Sequence, residues 1–306
     1  MDMLNKLVTG LMPAVPKPIV GKISARYIAG VKLYDAVREI RTLNNKGACS
    51  TMDLLGEFSD DPKHAQEATE TYIQMLNVIE QEGLDSNVSV KPSHLGLKIG
   101  YDFCRDNILR VVEVAAEKDS FVRIDMEDRT CTDDSLRMYF DIHEKHPQNV
   151  GLVIQAYLRR TIDDIEHLID VKANLRLCKG IYVEPRKDAF KNRNIIIRNY
   201  AYLLEKLLAG GCYVGIATHC EEAIWHANKI IRELGLKHDQ YEFQMLMGVE
   251  PELRQILIDA GHKLRVYVPF GEEWYPYCSR RLKENPKMAE HVMRDFLGME
   301  SADLRG

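Results

Sequence analysis

The chain has 306 residues, 45% of them hydrophobic and 28% charged, with 41 basic and 46 acidic side chains for a formal net charge of −5. That length buries a full core in one large domain or two small ones, and the mildly acidic balance lacks the basic footprint that nucleic-acid binding calls for. Seven cysteines, an odd number with no C-x-x-C pair, argue against a disulfide framework or a cysteine-ligated zinc site and point to reduced thiols in a cytoplasm-like compartment.

The first thirty residues mix Leu, Val, Met and Ile with Lys17, Lys22 and Arg26, and are broken by Pro13, Pro16 and Pro18. They read as a small helical arm packing on the domain, with contact to a membrane surface as a second reading. No charged segment followed by a long apolar one marks a signal peptide, and no apolar run approaches the roughly 18 residues of a spanning helix, so a soluble or peripheral protein is expected. From about residue 48 the pattern alternates short β-branched or aliphatic runs with longer amphipathic segments, the signature of βαβ units. Strands are expected at about 49–55, 87–91, 121–125, 150–156, 173–178, 213–217, 241–246 and 264–268. Helices are expected at about 62–83, 101–118, 132–145, 161–170, 187–209, 220–235, 250–260 and 273–285. Eight such units in about 240 residues fit a (βα)8 TIM barrel better than an open doubly wound sheet, which needs fewer strands and often carries a Gly-rich first turn that is absent here. The expected organisation is a helical arm over 1–47 and one barrel domain over 48–306 that ends in a short helical tail.

A barrel gathers its chemistry at the C-terminal ends of its strands. Those positions hold Glu57; Lys91 and Ser93; Asp125 and Glu127; Gln155 and Tyr157; Arg176, Lys179 and Tyr182; Thr218 and His219; Gln244 and Leu246; and Tyr267. Each alone has a structural reading, a solvated strand end for Lys91, a loop cap for Asp125, a helix start for His219. Together they describe a rim with cations, hydrogen-bonding groups and aromatic walls, suited to a small anion and a large polar cofactor. His143-Glu-Lys-His146 lacks the zincin spacing H-E-x-x-H and reads as a solvated helix end, so no metal is implied.

After the eighth strand, Tyr277, Arg280, Arg281 and Glu284 fall at i, i+3, i+4 and i+7 on one helix face. Paired guanidiniums with an aromatic wall suit a carboxylate or phosphate. The competing reading is a solvated face on which Glu284 pairs with its neighbours.

At these residues the chain resembles the proline dehydrogenases. Arg265-Val-Tyr267-Val-Pro-Phe-Gly271 followed by Tyr277-Cys-Ser-Arg280-Arg281-Leu-Lys-Glu284-Asn285 is similar to that family's C-terminal signature. Val88-Ser-Val-Lys91, Ile124-Asp125-Met-Glu127, Val153-Ile-Gln155-Ala-Tyr157, Arg176-Leu-Cys-Lys179-Gly180-Ile-Tyr182, Ala217-Thr218-His219 and Phe243-Gln244-Met-Leu246-Met-Gly248 follow in family order, over roughly residues 48 to 286. The resemblance implies a distorted (βα)8 barrel with non-covalent FAD that oxidises L-proline to Δ1-pyrroline-5-carboxylate by hydride transfer to flavin N5 and passes electrons to a membrane quinone. It implies that Arg280 and Arg281, with Lys91, clamp the proline carboxylate, and that Asp125, Leu246, Tyr267 and Tyr277 close on the ring. Gln155, Arg176, Lys179, Gly180, Tyr182, Thr218, His219 and Glu284 are implied as FAD contacts. The chain looks like the short monofunctional form, whose product goes to a separate pyrroline-5-carboxylate dehydrogenase. A quinone acceptor without a spanning segment implies a cytoplasmic protein held peripherally at the inner face of the membrane, through the arm or residues 287–306. Two other readings stay open: an aldolase-type barrel with Lys91 or Lys179 as Schiff-base nucleophile, and a scaffold whose arginine face binds an acidic partner.

Overall fold

Eight short runs with apolar residues at alternate positions become β1 (Cys49–Leu54), β2 (Ser86–Val90), β3 (Val122–Ile124), β4 (Val150–Gln155), β5 (Asn174–Cys178), β6 (Tyr213–Ala217), β7 (Tyr241–Leu246) and β8 (Leu264–Phe270) in a computed structural model that describes residues 25–284, with side chains as far as Ser279. Every neighbouring pair is parallel, and β8 closes on β1 with Cys49 opposite Arg265 and Leu54 opposite Phe270. Helices alternate with them: α1 (Leu33–Asn44), α2 (Pro62–Gln81), α3 (Tyr101–Glu117), α4 (Thr132–His143), α5 (Thr161–Asp170), α6 (Arg193–Ala209), α7 (Glu221–Glu233), α8 (Pro251–Asp259) and α9 (Trp274–Glu284). The expected (βα)8 barrel is the fold found.

The period of two along each strand separates two environments. Tyr241 and Phe243 of β7, Val88 and Val90 of β2, and Leu175 and Leu177 of β5 enter the apolar layer between sheet and helices, where they are fully or nearly fully buried. The alternate residues enter the barrel interior, which is strongly polar. At its floor Arg265 donates from Nε to Glu242 Oε1 at 2.7 Å and from Nη2 to Oε2 at 3.1 Å. Arg123 donates to the main-chain oxygen and to Oδ1 of Asn174, both at 2.6 Å. Room for these long side chains comes from glycines on neighbouring strands. A Cβ on Gly151 would lie 2.3 Å from Arg123 Nη1, and one on Gly215 would lie 2.3 Å from Gln244 Nε2.

Two departures from a regular barrel shape the site. Helix α1 packs on β8 and β1 and contributes Ala36, Val37, Ile40 and Leu43 to the main core. It thereby fills the place beside β8 and β1 where the eighth helix of a regular barrel lies. The preceding residues strap across the rim, with Ala29 N donating to Pro269 O at 2.9 Å and Gly271 N to Gly30 O at 3.0 Å. Helix α9 is turned over the C-terminal end instead, where Tyr277 and Cys278 pack with Tyr27 and Leu55 in a separate cluster. The second departure is at α6, expected from about 187 but starting at Arg193. Residues 187–192 stay non-helical because Ala189 bridges Leu158 and the Asn192 side chain caps the helix, accepting from Asn194 N at 2.9 Å and Ile195 N at 3.3 Å. Residues 1–24 of the expected arm and the expected tail at 287–306 lie outside the described residues.

Candidate active site

A cavity of about 570 Å³ opens at the C-terminal ends of the strands. Its innermost charges come from the first three strands. Lys91, just after β2, places Nζ 2.5 Å from Asp53 Oδ1 of β1, and both side chains are buried. Burial raises the Asp53 pKa to about 6 although Lys91 lies beside it. Burial also works against the Lys91 ammonium, but the carboxylates of Asp53 and Asp125 outweigh it and hold that pKa above its ordinary value. Lys91 is therefore a fixed cation.

Asp125, just after β3, is the hub of the next layer. Its Oδ1 accepts from Arg176 Nη1 at 2.6 Å and from Ser89 Oγ at 2.8 Å, and its Oδ2 accepts from the Tyr267 hydroxyl at 2.9 Å. The Arg176 guanidinium lies 5.2 Å from the centre of the Tyr267 ring, within cation–π range. Arg176 Nε donates to Gln244 Oε1 at 2.6 Å, and Gln244 Nε2 donates to Glu242 Oε1 at 2.6 Å. A continuous polar chain thus runs from Arg265 at the floor to Tyr267 at the cavity. Burial would raise the Glu242 pKa, but Arg265 overrides it and holds the carboxyl down at about 2, so this chain is anchored on a permanent ion pair.

Residues on and just after β4 to β6 line another part of the cavity. Gln155 Nε2 donates to Met126 O at 3.0 Å and Glu127 O at 3.2 Å, while its buried Oε1 has no hydrogen-bond partner among the described residues. Such an orphaned acceptor is costly unless something donates to it. Lys179, Gly180 and Tyr182 follow β5 along the cavity wall. Gly180 has φ +98°, and a Cβ there would lie 2.1 Å from the Tyr157 ring, so this turn requires glycine. Thr218 and His219 follow β6. His219 Nε2 accepts from Leu246 N at 2.8 Å, which leaves Nδ1 to carry any proton and fixes the ring at the wall. Leu246 and Tyr277 close the opposite side.

Every described residue expected at the site thus lines one cavity: Lys91, Asp125, Leu246, Tyr267 and Tyr277, together with Gln155, Arg176, Lys179, Gly180, Tyr182, Thr218 and His219. Arg280, Arg281 and Glu284 continue α9 beyond Tyr277, and their side chains lie outside the described residues. Of the other rim residues, Glu57, Glu127 and Gln244 also line the cavity. Glu127 has a structural task as well, since it accepts from Ser93 N at 2.7 Å and from Ser93 Oγ, tying two rim loops together. Asp53 was missed in reading strand ends alone. Its signal is a lone carboxylate inside an otherwise buried strand, at the same face as Thr51, a position that carboxylates avoid unless a partner is waiting. Met126, Val153, Cys178, Ala217 and Met245 supply apolar wall and have no sequence signal that separates them from core.

Residues 36–294 match the family model described as proline dehydrogenase. The chain belongs to the proline dehydrogenase family. Among curated proteins, proline dehydrogenase 2 of Bacillus subtilis strain 168 is 37% identical over 276 residues, covering 90% of each chain. Proline dehydrogenase of Deinococcus radiodurans is 33% identical over 279 residues, again covering 90% of both. The bifunctional protein PutA of Escherichia coli K12 is 28% identical, and this chain spans 24% of its length. The crystal structure of proline utilization A from Bdellovibrio bacteriovorus superposes with a TM-score of 0.83 at 23% identity, covering 95% of this chain and 36% of that one. At that identity the match speaks for the fold. For a proline dehydrogenase, a cavity that combines a fixed ammonium, a carboxylate–guanidinium hub and an aromatic wall has the parts to hold a small ring that carries a carboxylate.

Proposed function

We propose that this proline dehydrogenase oxidises L-proline to Δ1-pyrroline-5-carboxylate with non-covalently bound FAD and delivers the electrons to a membrane quinone at the cytoplasmic face, the product passing to a separate pyrroline-5-carboxylate dehydrogenase. The observation that carries the reading is the convergence of Lys91, Asp125, Arg176 and Tyr267 on one cavity beside the orphaned oxygen of Gln155. The residues present fit the cofactor. Gln155 Oε1 offers an acceptor to a ring N–H, and Arg176 and Lys179 supply cations. The Lys179–Tyr182 turn gives main-chain surface along which an extended group lies, with Thr218, His219 and Glu284 for its remainder. FAD, when bound, supplies the two-electron acceptor for the hydride that leaves the ring carbon next to nitrogen.

The protein's own part is binding, orientation and electrostatics. Lys91 grips the carboxylate, and the family resemblance adds Arg280 and Arg281 of α9 to it. Tyr267 and Leu246 flank the ring, and Tyr277 covers it against water. Arg176 is aimed by three partners, Asp125, Ser89 and Gln244, so its positive charge stands ready where negative charge gathers on the acceptor, without reorganisation. No side chain is assigned as base: substrate entering with a neutral amine loses the hydride to give the iminium, which releases its N–H proton to water to give the imine. The Schiff-base alternative fits less well at Lys91, because a nucleophilic lysine must be neutral and this one is held charged against Asp53.

The visible absorption spectrum of the purified protein tests the reading. Flavin bands that bleach on anaerobic addition of proline are expected. A colourless protein overturns the cofactor, and bands unmoved by proline overturn the substrate.

A further inference from the structure

The connection from β5 to α6 carries features that the cavity does not use. Val183 is 98% exposed, and Ile181 on the same segment and Ile195 in the first turn of α6 are exposed as well. Around them stand Arg186, Lys187, Lys191 and Arg193, all exposed. The two carboxylates of the segment, Glu184 and Asp188, are instead turned to Arg129, each 3.4 Å from its Nε. Among the described residues none of those four cations pairs with a carboxylate. Arg159 joins them from the β4–α5 loop, stacked on Phe190 at 4.4 Å, and donates to Arg186 O at 3.0 Å. Arg159, Arg186 and Lys191 line a second cavity of about 320 Å³ with Phe190 and Ile195.

We propose that this connection is the protein's contact with an anionic lipid surface, Val183 entering the headgroup layer while Arg186, Lys187, Lys191 and Arg159 bind lipid phosphates.

Charge complementarity selects this occupant. On a chain of net charge −5, five neighbouring cations, with the segment's own two acids turned to Arg129, form a local field of the sign that an anionic leaflet attracts. A stable protein interface buries about 800 Å² per partner around a packed apolar centre. Here the apolar groups are separate tips among cations, which suits shallow insertion with basic side chains reaching the phosphates. No helix among the described residues is long and apolar enough to cross a membrane, so contact of this surface kind is what they offer. Position adds a reason that rests on the quinone reading above. Ile181 and Tyr182 belong both to this connection and to the wall of the main cavity, so docking here holds the cavity mouth at the bilayer, where a lipid-soluble acceptor resides.

The purified full-length protein is sedimented with vesicles of phosphatidylcholine alone and of phosphatidylcholine mixed with phosphatidylglycerol, and turnover is followed with a water-soluble dye and with a short-chain quinone. Binding to the anionic vesicles only, weakened by salt, is expected. Arg186→Ala with Lys187→Ala loses about fivefold in affinity per cation removed, and Val183→Asp loses at least as much, while dye turnover stays at the parent value. Absence of vesicle binding, or binding that the variants leave intact, overturns the proposal. So does an equal loss of dye turnover in the variants, which assigns the segment to the cavity, or retention of vesicle binding in the variants with loss of self-association, which assigns the tips to a second copy of the chain. Failure of the quinone reading is separate: it shows as dye turnover without quinone turnover in the parent protein.

Discussion

Glu242→Gln removes one charge from the floor of the barrel and keeps the shape, so it measures what the Arg265–Glu242 pair does for fold and site. The folded-state pKa of Glu242 is about 2, against an ordinary value of 4.5. Because the folded value is the lower one, the stability that this carboxylate contributes is fully present above 4.5 and is lost as pH falls through about 2. A difference of that size corresponds to about 3 kcal/mol at neutral pH, in line with the roughly 3–5 kcal/mol lost when one partner of a buried pair is removed. With an unfolding entropy of about 2.1 cal/mol/K per residue, a chain of 306 residues loses about 5 °C in melting temperature for that energy. Gln244 depends on Glu242 and in turn accepts from Arg176, so the variant also loosens the Arg176 guanidinium, and on the proposed function kcat is expected to fall more than KM rises. Thermal melts at pH 7 and below pH 4.5, with steady-state kinetics at pH 7, check both parts. A melting temperature within a degree of the parent at pH 7, or a deficit that widens as pH falls below 4.5, refutes the reasoning.

Other outcomes follow from the same contacts. In Asp53→Asn, Lys91 loses the nearest carboxylate that raises its pKa, so the rise of KM for proline with pH begins at lower pH than in the parent; identical KM–pH profiles count against the pairing. If Tyr267 fills space at the substrate ring as proposed, the protein is expected to prefer proline to 4-hydroxyproline, and Tyr267→Ser, which opens that space and removes the hydrogen bond to Asp125, is expected to narrow the difference by about tenfold in kcat/KM; a parent enzyme that prefers hydroxyproline sinks this role for Tyr267. Gly151→Ala forces a Cβ to within 2.4 Å of Asn174 O and 2.3 Å of Arg123 Nη1, and a cost of about 1–3 kcal/mol is expected in chemical denaturation. Arg281→Met, chosen on the family resemblance, raises KM for proline by well over tenfold through loss of about 2–5 kcal/mol of carboxylate binding; an unchanged KM removes Arg281 from the clamp.

Strand and helix positions were legible because each strand needs one face in the apolar layer and each helix one stripe against it, and those demands fix hydrophobic spacing. Val88 and Val90, or Tyr241 and Phe243, announce themselves in this way. The start of α6 was not legible from spacing, since residues 187–192 are compatible with a helix and only the Ala189 bridge and the Asn192 cap stop it. The strand-end rule found the rim residues because in a barrel the rim is where polar side chains escape the core. It could not find Asp53, which sits one layer deeper, nor tell that Ser89 and Gln244 serve Arg176 rather than a ligand. Those facts depend on which strands become neighbours across the barrel, and one strand's sequence does not carry them. Gly151 and Gly215 are of the same kind: their reason is a long side chain arriving from the next strand.

The placement of α1 explains how the barrel brings Tyr277 to its mouth. In a regular barrel the helix after β8 packs outside β8 and β1, where its side chains cannot reach the rim. Here α1 already covers those strands with Ala36, Val37, Ile40 and Leu43, so α9 has no apolar wall to return to and lies across the C-terminal end beside Tyr27 and Leu55. The strap before α1 is held closely enough that a Cβ on Gly248 would lie 2.2 Å from Arg26 O, which fixes the β7–α8 loop against it. The fixed part of the site, Lys91, Asp125, Arg176 and Tyr267, is set by partners inside the barrel, where strands hold geometry tightly. The covering part comes from a helix positioned by the segment before α1. Substitutions at the Tyr27–Leu55–Tyr277 contact therefore act on closure of the cavity over its ligand and leave the Arg265-to-Tyr267 chain as it is.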